Sequence, residues 1–178
     1  MDVRAAVLDD IVQIAAVHTQ GWQAEYRELL PPAVLDRLAG SDPRSRLTTV
    51  VQQAVGPGRG MLVADRDGKV VGFVDIRPTR DEDQDPARVG EIAAVYVDPE
   101  EWGRGIGRSL VAAATGRIAA AGCRSTTLWV LDTNGRAIAF YHAVGFQPDG
   151  TVKPGLVGGV TTRYLRYRCP LVHRGVRR

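Results

Sequence analysis

Between residues 90 and 110 the chain reads GEIAAVYVDPEEWGRGIGRSL, and this segment limits the fold more than any other. Apolar residues through Val97, stopped by Pro99, predict a strand over 90–99. Ile106, Leu110, Val111, Ala114 and Ile118 then recur at helical spacing, and Gly122 closes the helix. A strand that enters a helix through a glycine-rich turn calls for a sheet with helices packed against it.

The flanking segments supply that sheet. VRAAV (3–7), MLVADR (61–66), KVVGFVDIRP (69–78), STTLWVL (125–131) and TTRYLRYRC (161–169) read as strands. Asp67-Gly68 predicts a tight hairpin between the second and third of these. Asp9 or Asp10 caps a helix from Ile11 toward Gln20, with Ile11, Ile14, Ala15 and His18 on one stripe. Pro31 and Pro32 open a second helix closed by Gly40, and Asp42-Pro43 starts a third through Ala54. Asn134 caps a further helix through Val144, with Gly145 just beyond. Helices, a hairpin, then strand–helix–strand–helix–strand predict a mixed α/β sheet of about six or seven strands with a right-handed central crossover.

Length and composition fit a soluble protein: 178 residues, 44% hydrophobic and 24% charged. Residues 1–170 read as one domain and 171–178 as a flexible basic tail. No run is long enough to span a membrane, and acids interrupt the N-terminus too early for a signal peptide. Cys123 and Cys169, with three His, form neither a disulfide framework nor a metal-ligand spacing. A reducing cytoplasm, no metal and no membrane partner are the expectations. No acid follows Asp149, whereas Lys153, Arg163, Arg166, Arg168, Arg174, Arg177 and Arg178 do. Such a segment either meets an anionic partner or is a solvated strand face with a frayed end. No aromatic-studded basic helix accompanies it, so nucleic acid is not expected as a partner.

The helix start after the glycines leaves backbone N–H groups free and carries partial positive charge, which suits a phosphate. Gly103, Gly105 and Gly107 let an anion approach the backbone, and Arg104 and Arg108 are placed to add charge. The alternative is a plain turn with surface arginines. A P-loop would need Gly-Lys-Ser/Thr where Gly107-Arg108-Ser109 stands. A dinucleotide fold would need G-x-G-x-x-G, and the spacing here is G-x-G-x-G.

EIAAVYVDPEEWGRGIGRSL followed by LWVLDTNGRAIAFYHAVGF resembles the GNAT superfamily of acetyl-CoA-dependent N-acetyltransferases. The family's loop pattern, Gln/Arg-x-x-Gly-x-Gly/Ala, maps onto Trp102-Gly103-Arg104-Gly105-Ile106-Gly107, with Trp102 in place of Gln or Arg. The second motif, N-x-R-A-x-x-F-Y-x-x-x-G-F, runs complete from Asn134 to Phe146, and the match covers roughly residues 60 to 168. HTQGWQAEYRELLP, at 18–31, resembles a subgroup without an assigned substrate.

The resemblance implies a GNAT-like sheet splayed between its fourth and fifth strands. It implies acetyl transfer from acetyl-CoA to a primary amine, by direct attack in a ternary complex. Coenzyme A pyrophosphate would then sit on the amides from Gly103 to Arg108, including Ile106. Pantetheine would run along Val95, Tyr96 and Val97 and the face formed by Asn134, Ala137 and Tyr141. Tyr141 is the candidate acid: a phenol with pKa near ~10 stays protonated and can serve a thiolate of pKa about 8.5. Its alternative role is a half-buried helix aromatic.

Glu91 is the candidate base, or a surface Glu at a strand end, since an amine of pKa ~10.4 must lose a proton before it attacks. Trp22 and Tyr26, four apart, either line the acceptor pocket with Glu91 or pack in the core. His18 and His142 read as helix-surface or core residues. Asp81, Glu82, Asp83 and Asp85 form an acidic loop that is either solvated or attracts a cationic amine. GTVKPGLVGGV (150–160) reads as a flap. The last strand carries an exposed edge, consistent with a monomer or a homodimer. Amino acids, polyamines, antibiotics, peptide N-termini and protein lysines all satisfy the pattern as small-molecule or peptide acceptors. A non-catalytic acyl-CoA sensor is the alternative, and it would keep the loop without needing Tyr141 or Glu91.

Overall fold

The Asp67-Gly68 pair turns the chain as its sequence predicts, with φ of 55° and 83°. Both central residues are left-handed, the twist a two-residue hairpin requires. The pair joins β2 (Gly60–Arg66) to β3 (Lys69–Pro78) in a computed structural model that describes residues 1–27, 30, 32–39, 42–53, 56–157 and 159–171. With β1 (Asp2–Ala5), β4 (Val89–Val97), β5 (Ser125–Leu131), β6 (Gln147–Val157) and β7 (Val160–Pro170) they form a seven-stranded sheet of order β1-β2-β3-β4-β5-β7-β6. Among the described residues only β4 and β5 pair in parallel, and α4 (Ile106–Ala120) makes the crossover between them.

α4 covers one face. Its Ile106, Leu110, Ala114 and Ile118 pack with Val71, Ile76, Ile92 and Leu128. α1 (Ile11–Tyr26) and α3 (Arg44–Gln52) cover the other, where Ile14 and Leu47 meet Val63 and Phe73. Each such side chain contributes ~1.5–3 kcal/mol on burial. α2 (Pro32–Ala39) follows α1, and α5 (Gly135–Ala143) follows β5.

The decisive feature of the sheet is where it parts. β4 pairs with β5 only from Val89 to Glu91, opposite Ser125 to Thr127. Beyond that point β5 pairs with β7 alone. On its other side β4 carries a bulge: Asp75 faces Ala94 but Ile76 faces Ile92, so Ala93 is the extra residue. The bulge swaps the faces. Ile92, Val95 and Val97 point to the α4 side, and Ala94 and Tyr96 to the α1 side.

Several sequence expectations shift. The first strand is Asp2–Ala5 rather than 3–7. α1 continues past Gln20 to Tyr26 through Gly21, where a Cβ would stand 2.9 Å from Tyr96 Cδ1. Asp10 does not cap α1 with its side chain. That carboxylate instead accepts from Val7 N and the Arg4 guanidinium. The third helix runs to Gln52. The expected ends at Gly40 and Ala54 lie outside the described residues, as does the tail beyond Leu171. The expected flap is largely β6, and β6 forms the sheet edge; β7 is paired on both sides.

Two cations of β7 hold the acidic loop between β3 and β4, Arg168 through Gln84 and Arg166 through the carboxylates. Arg166 on β7, 3% exposed, donates to both Asp83 oxygens at 2.6 and 2.7 Å and to Asp149 at 2.7 Å. It also reaches Asp81 at 3.2 Å and Thr151 at 2.8 Å. The Arg166 hydrogen bonds hold the Asp83 carboxyl well below the usual carboxylate range. Asp81 and Asp83 are thereby engaged in the fold; Glu82 and Asp85 do not take part in the cluster. Arg166→Met removes the donor that Asp81, Asp83 and Asp149 share, so it is expected to cost ~1.5–3 kcal/mol in urea unfolding. It should also open the 79–88 loop to proteolysis.

Candidate active site

The turn after β4 is built from short-range contacts. Asp98 caps a 3₁₀ turn, Pro99–Glu101, by accepting from Glu100 N at 3.1 Å. Trp102 then folds back, and its indole Nε1 donates to Val97 O at 2.9 Å. Gly103 and Gly105 have φ of 78° and 81°, a region that favours glycine. Gly105 is the N-cap of α4 and offers no side-chain cap. The first-turn amides of Ile106, Gly107 and Arg108 therefore point out of the helix start with no capping side chain.

These amides open into a cavity of about 440 Å³ between the end of β4 and α5. Val95, Tyr96 and Val97 of β4 form one wall, the glycine loop forms the end, and α5 the opposite wall. Of the residues expected to hold a cofactor, Val95, Tyr96, Val97, Gly103, Gly105, Ile106, Gly107, Arg108, Asn134, Ala137 and Tyr141 all line this one space. Arg104 does not: it is 57% exposed and lies 3.3 Å from Glu101. Arg108 reaches the Ala143 carbonyl at the end of α5 at 3.3 Å.

α5 presents its residues through its cap. Asn134 Oδ1 accepts from Ala137 N at 3.0 Å, which starts the helix. Two turns on, Tyr141 is half-buried on the same wall, its ring near Phe140 and Phe146. Burial pushes its phenol pKa well up, with the Glu25 charge adding to the effect, so it stays protonated at any working pH.

Glu91, Trp22 and Tyr26 do not line the cavity. Glu91 is 5% exposed and pairs with Arg77 Nη2 at 2.6 Å. The Ala93 bulge explains its place: before it, Glu91 points to the face opposite Ile92. Trp22 and Tyr26 stack at 4.7 Å and pack with Leu30, Leu131 and Tyr164, bridging α1 to the far half of the sheet. His18 lies edge-on to Tyr96 at 4.9 Å, and burial, with Arg46 adding, pushes its imidazole down to about 4. His142 meets Tyr167 Oη at 3.3 Å. Neither Cys123 nor Cys169 lines the cavity.

Six lining residues are not among the expected site residues: Gly21, Glu25, Glu101, Trp102, Arg136 and Phe140. Gly21 and Glu25 are one helical turn apart on α1, a signal available had that helix been extended past Gln20. Glu25 Oε1 accepts from Asn134 Nδ2 at 2.6 Å. Burial pushes its carboxyl up to about 7, against the pull of that hydrogen bond and of the Arg136 charge. The Arg136 guanidinium lies over the Trp102 ring, 3.0 Å from its centroid. Among the described residues no group of His, Cys, Asp and Glu is arranged to hold a metal ion, and no helix is long and apolar enough to cross a membrane.

Residues 20–146 match the model of the Acetyltransferase (GNAT) family. The chain is 31% identical over 147 residues to the uncharacterized N-acetyltransferase YuaI of Bacillus subtilis, covering 83% of this chain and 79% of that one. Its fold is similar to that of PaiA N-acetyltransferase of Thermoplasma acidophilum, solved in complex with coenzyme A. That likeness has a TM-score of 0.77 at 17% identity, over 95% of this chain and 98% of that one. YncA of Salmonella typhimurium, solved with its cofactor acetyl-CoA, gives a TM-score of 0.72 at 22% identity, over 100% and 98%.

Because burial raises the Glu25 carboxyl, its contribution to stability is full below about 4.5 and is lost as pH rises through about 7. Asn134 offsets that loss by donating to the carboxylate. Asn134→Ala is therefore expected to lower stability by ~1 kcal/mol at pH 5, where only the helix cap is missing. At pH 8 the loss should be larger; parallel thermal melts at the two pH values read the difference.

Proposed function

The chain belongs to the GNAT acetyltransferase family, and on that premise we propose that it moves an acetyl group from acetyl-CoA to a primary amine, small-molecule or peptide, by direct attack with both substrates bound. One observation carries the proposal. The uncapped α4 amides, the unpaired edge of β4 and the Tyr141 phenol all open into the same cavity.

The coenzyme A pyrophosphate sits on the amides of Gly103 to Arg108, where free N–H groups and the helix dipole favour negative charge. Arg108 and Arg136 add cationic charge at that end of the cavity. Pantetheine pairs with the edge of β4 left open past Glu91, supplying the backbone partners that β5 withholds. This places the thioester where the sheet parts, beside Tyr141.

The amine must be neutral to attack, and at pH 7 an ordinary ammonium with pKa ~10.4 is almost wholly charged. Attack forms the C–N bond and breaks the C–S bond. The departing thiolate takes its proton from Tyr141, which burial keeps protonated until the thiolate forms. The family resemblance gives the base role to Glu91, whose carboxylate is already engaged by Arg77. The cysteines lie off the cavity, which favours direct transfer over an acyl-enzyme.

The test is thiol release from acetyl-CoA against spermidine, L-lysine, tyramine and an alanine-initiated hexapeptide. Tyr141→Phe is expected to lower kcat by ~10²-fold or more while CoA affinity stays near wild type. Gly105→Val, forced into a left-handed position, should instead weaken CoA binding. A Cys123→Ser/Cys169→Ser double variant should keep its turnover; its loss would overturn direct transfer. CoA that fails to bind the wild type would overturn the proposal as a whole.

A further inference from the structure

On the acetyl-transfer reading above, the acceptor's first proton needs a destination inside the cavity, and that reading leaves it on Glu91. The geometry points to Glu25 instead. We propose that Glu25 is the general base that receives the proton of the acceptor ammonium, and that Asn134 holds its carboxylate in place for this.

Four observations support the assignment. First, Glu25 lines the cavity together with Tyr141, whereas Glu91 does not. Second, the two carboxylates differ in partner. Glu91 is engaged by the Arg77 guanidinium at 2.6 Å. Glu25 accepts from the neutral amide of Asn134, also at 2.6 Å, which orients it and leaves it basic. Third, the rings of Tyr96, Trp102, Phe140 and Tyr141 line the same cavity as Glu25, and they offer a cationic amine apolar contact and negative faces. The titratable and charged groups that interact with Glu25 are Tyr26 of α1, Tyr96 of β4, Tyr141 and Arg136 of α5 and Tyr164 of β7. Fourth, its carboxyl, pushed up to about 7 by burial, can both take a proton from the amine and return it to water near neutral pH.

The protons then balance. The acceptor ammonium gives one proton to Glu25 and becomes a neutral amine. The amine attacks the thioester carbon, the C–S bond breaks, and the sulfur takes the Tyr141 proton. The second nitrogen proton, acidic once the C–N bond has formed, restores Tyr141. Glu25 releases its proton to solvent. One ammonium and one thioester become one amide, one thiol and one released proton.

The experiment is the pH profile of kcat/KM for wild type, Glu25→Gln and Glu91→Gln, run with the best acceptor from the amine panel. ¹³C-glutamate NMR titrations of the same three proteins accompany it. Wild type should lose rate about tenfold per pH unit below about 7. Glu25→Gln should be slower by ~10²-fold at pH 7 and should lose that acidic limb. It should recover as pH climbs toward ~10.4, where the amine deprotonates by itself. Glu91→Gln should keep the limb whatever its absolute rate. The NMR spectrum should show a carboxyl titrating near 7 that is missing only in Glu25→Gln.

A Glu25→Gln enzyme that keeps the limb, even at a lower rate, would reduce Glu25 to a structural role and overturn the assignment. So would a limb lost only in Glu91→Gln. Wild type that binds CoA but turns over no amine would remove the acetyl-transfer reading and the base with it. Turnover with an unchanged Glu25→Gln profile would remove the base alone.

Discussion

Everything at this site follows from one break in backbone pairing. β4 and β5 share three paired positions and then separate, so the backbone groups on the β5 side of β4 beyond Glu91 have no strand beside them, while its other side stays paired with β3. Buried backbone groups without partners are costly, and a fold keeps such a gap only where something else fills it. The surrounding structure is consistent with that. The Ala93 bulge bends β4 where the gap opens, and the open α4 start lies at the gap's far end. α5 closes the side that β5 leaves free, starting from an Asn cap whose second hydrogen-bonding group faces the gap.

A sheet cut this way needs bracing from outside the ladder. α1 provides it by reaching across both halves. Its Ile11 and Ile14 pack on β2 and β3, while its last turn, through Trp22 and Tyr26, packs on Leu131 and Tyr164 of the far half. The Glu25–Asn134 hydrogen bond ties the same turn to α5. Arg166 draws the β3–β4 loop onto β7 and β6 through Asp81, Asp83 and Asp149. A fully buried cation is worth keeping only with its carboxylates in place. Here they come from both halves of the sheet, so the cluster holds together what β4 and β5 do not.

The legible parts of the sequence were those fixed by neighbours along the chain. The glycine loop, the Asp67-Gly68 hairpin and the Asn134 cap are each settled within a few residues, and each lies where the sequence put it. What depends on distant partners was not legible. Glu91 looked available because Arg77, fourteen residues earlier, reaches it only through the β3–β4 register. The bulge at Ala93 is invisible to an alternation pattern, since apolar residues lie on both sides of it. The first helix read as running only toward Gln20, since nothing nearby shows that Tyr96 needs the missing side chain of Gly21. That misreading shortened α1 and hid Glu25. The last strand read as an edge because the pairing order β5-β7-β6 reverses the chain order.

Trp102 shows how a departure from a family pattern keeps the physics of the position. The pattern places Gln or Arg there, a polar group at the mouth of an anion site. The indole supplies the donor, to Val97 O, which fixes the end of β4 against the glycine loop. It supplies no charge, but its face carries the Arg136 guanidinium, 3.0 Å from the ring centroid. Such a stack is worth ~0.5–2 kcal/mol, more where water is excluded. The positive charge that an Arg at 102 would have brought along the loop thus arrives from α5, across the cavity. Because Arg136 lies two residues beyond Asn134, the helix that caps itself with Asn134 and presents Tyr141 also supplies the charge at the glycine-loop end. The two walls are coupled at both ends of the gap, through Trp102–Arg136 at the loop and Glu25–Asn134 where the sheet parts.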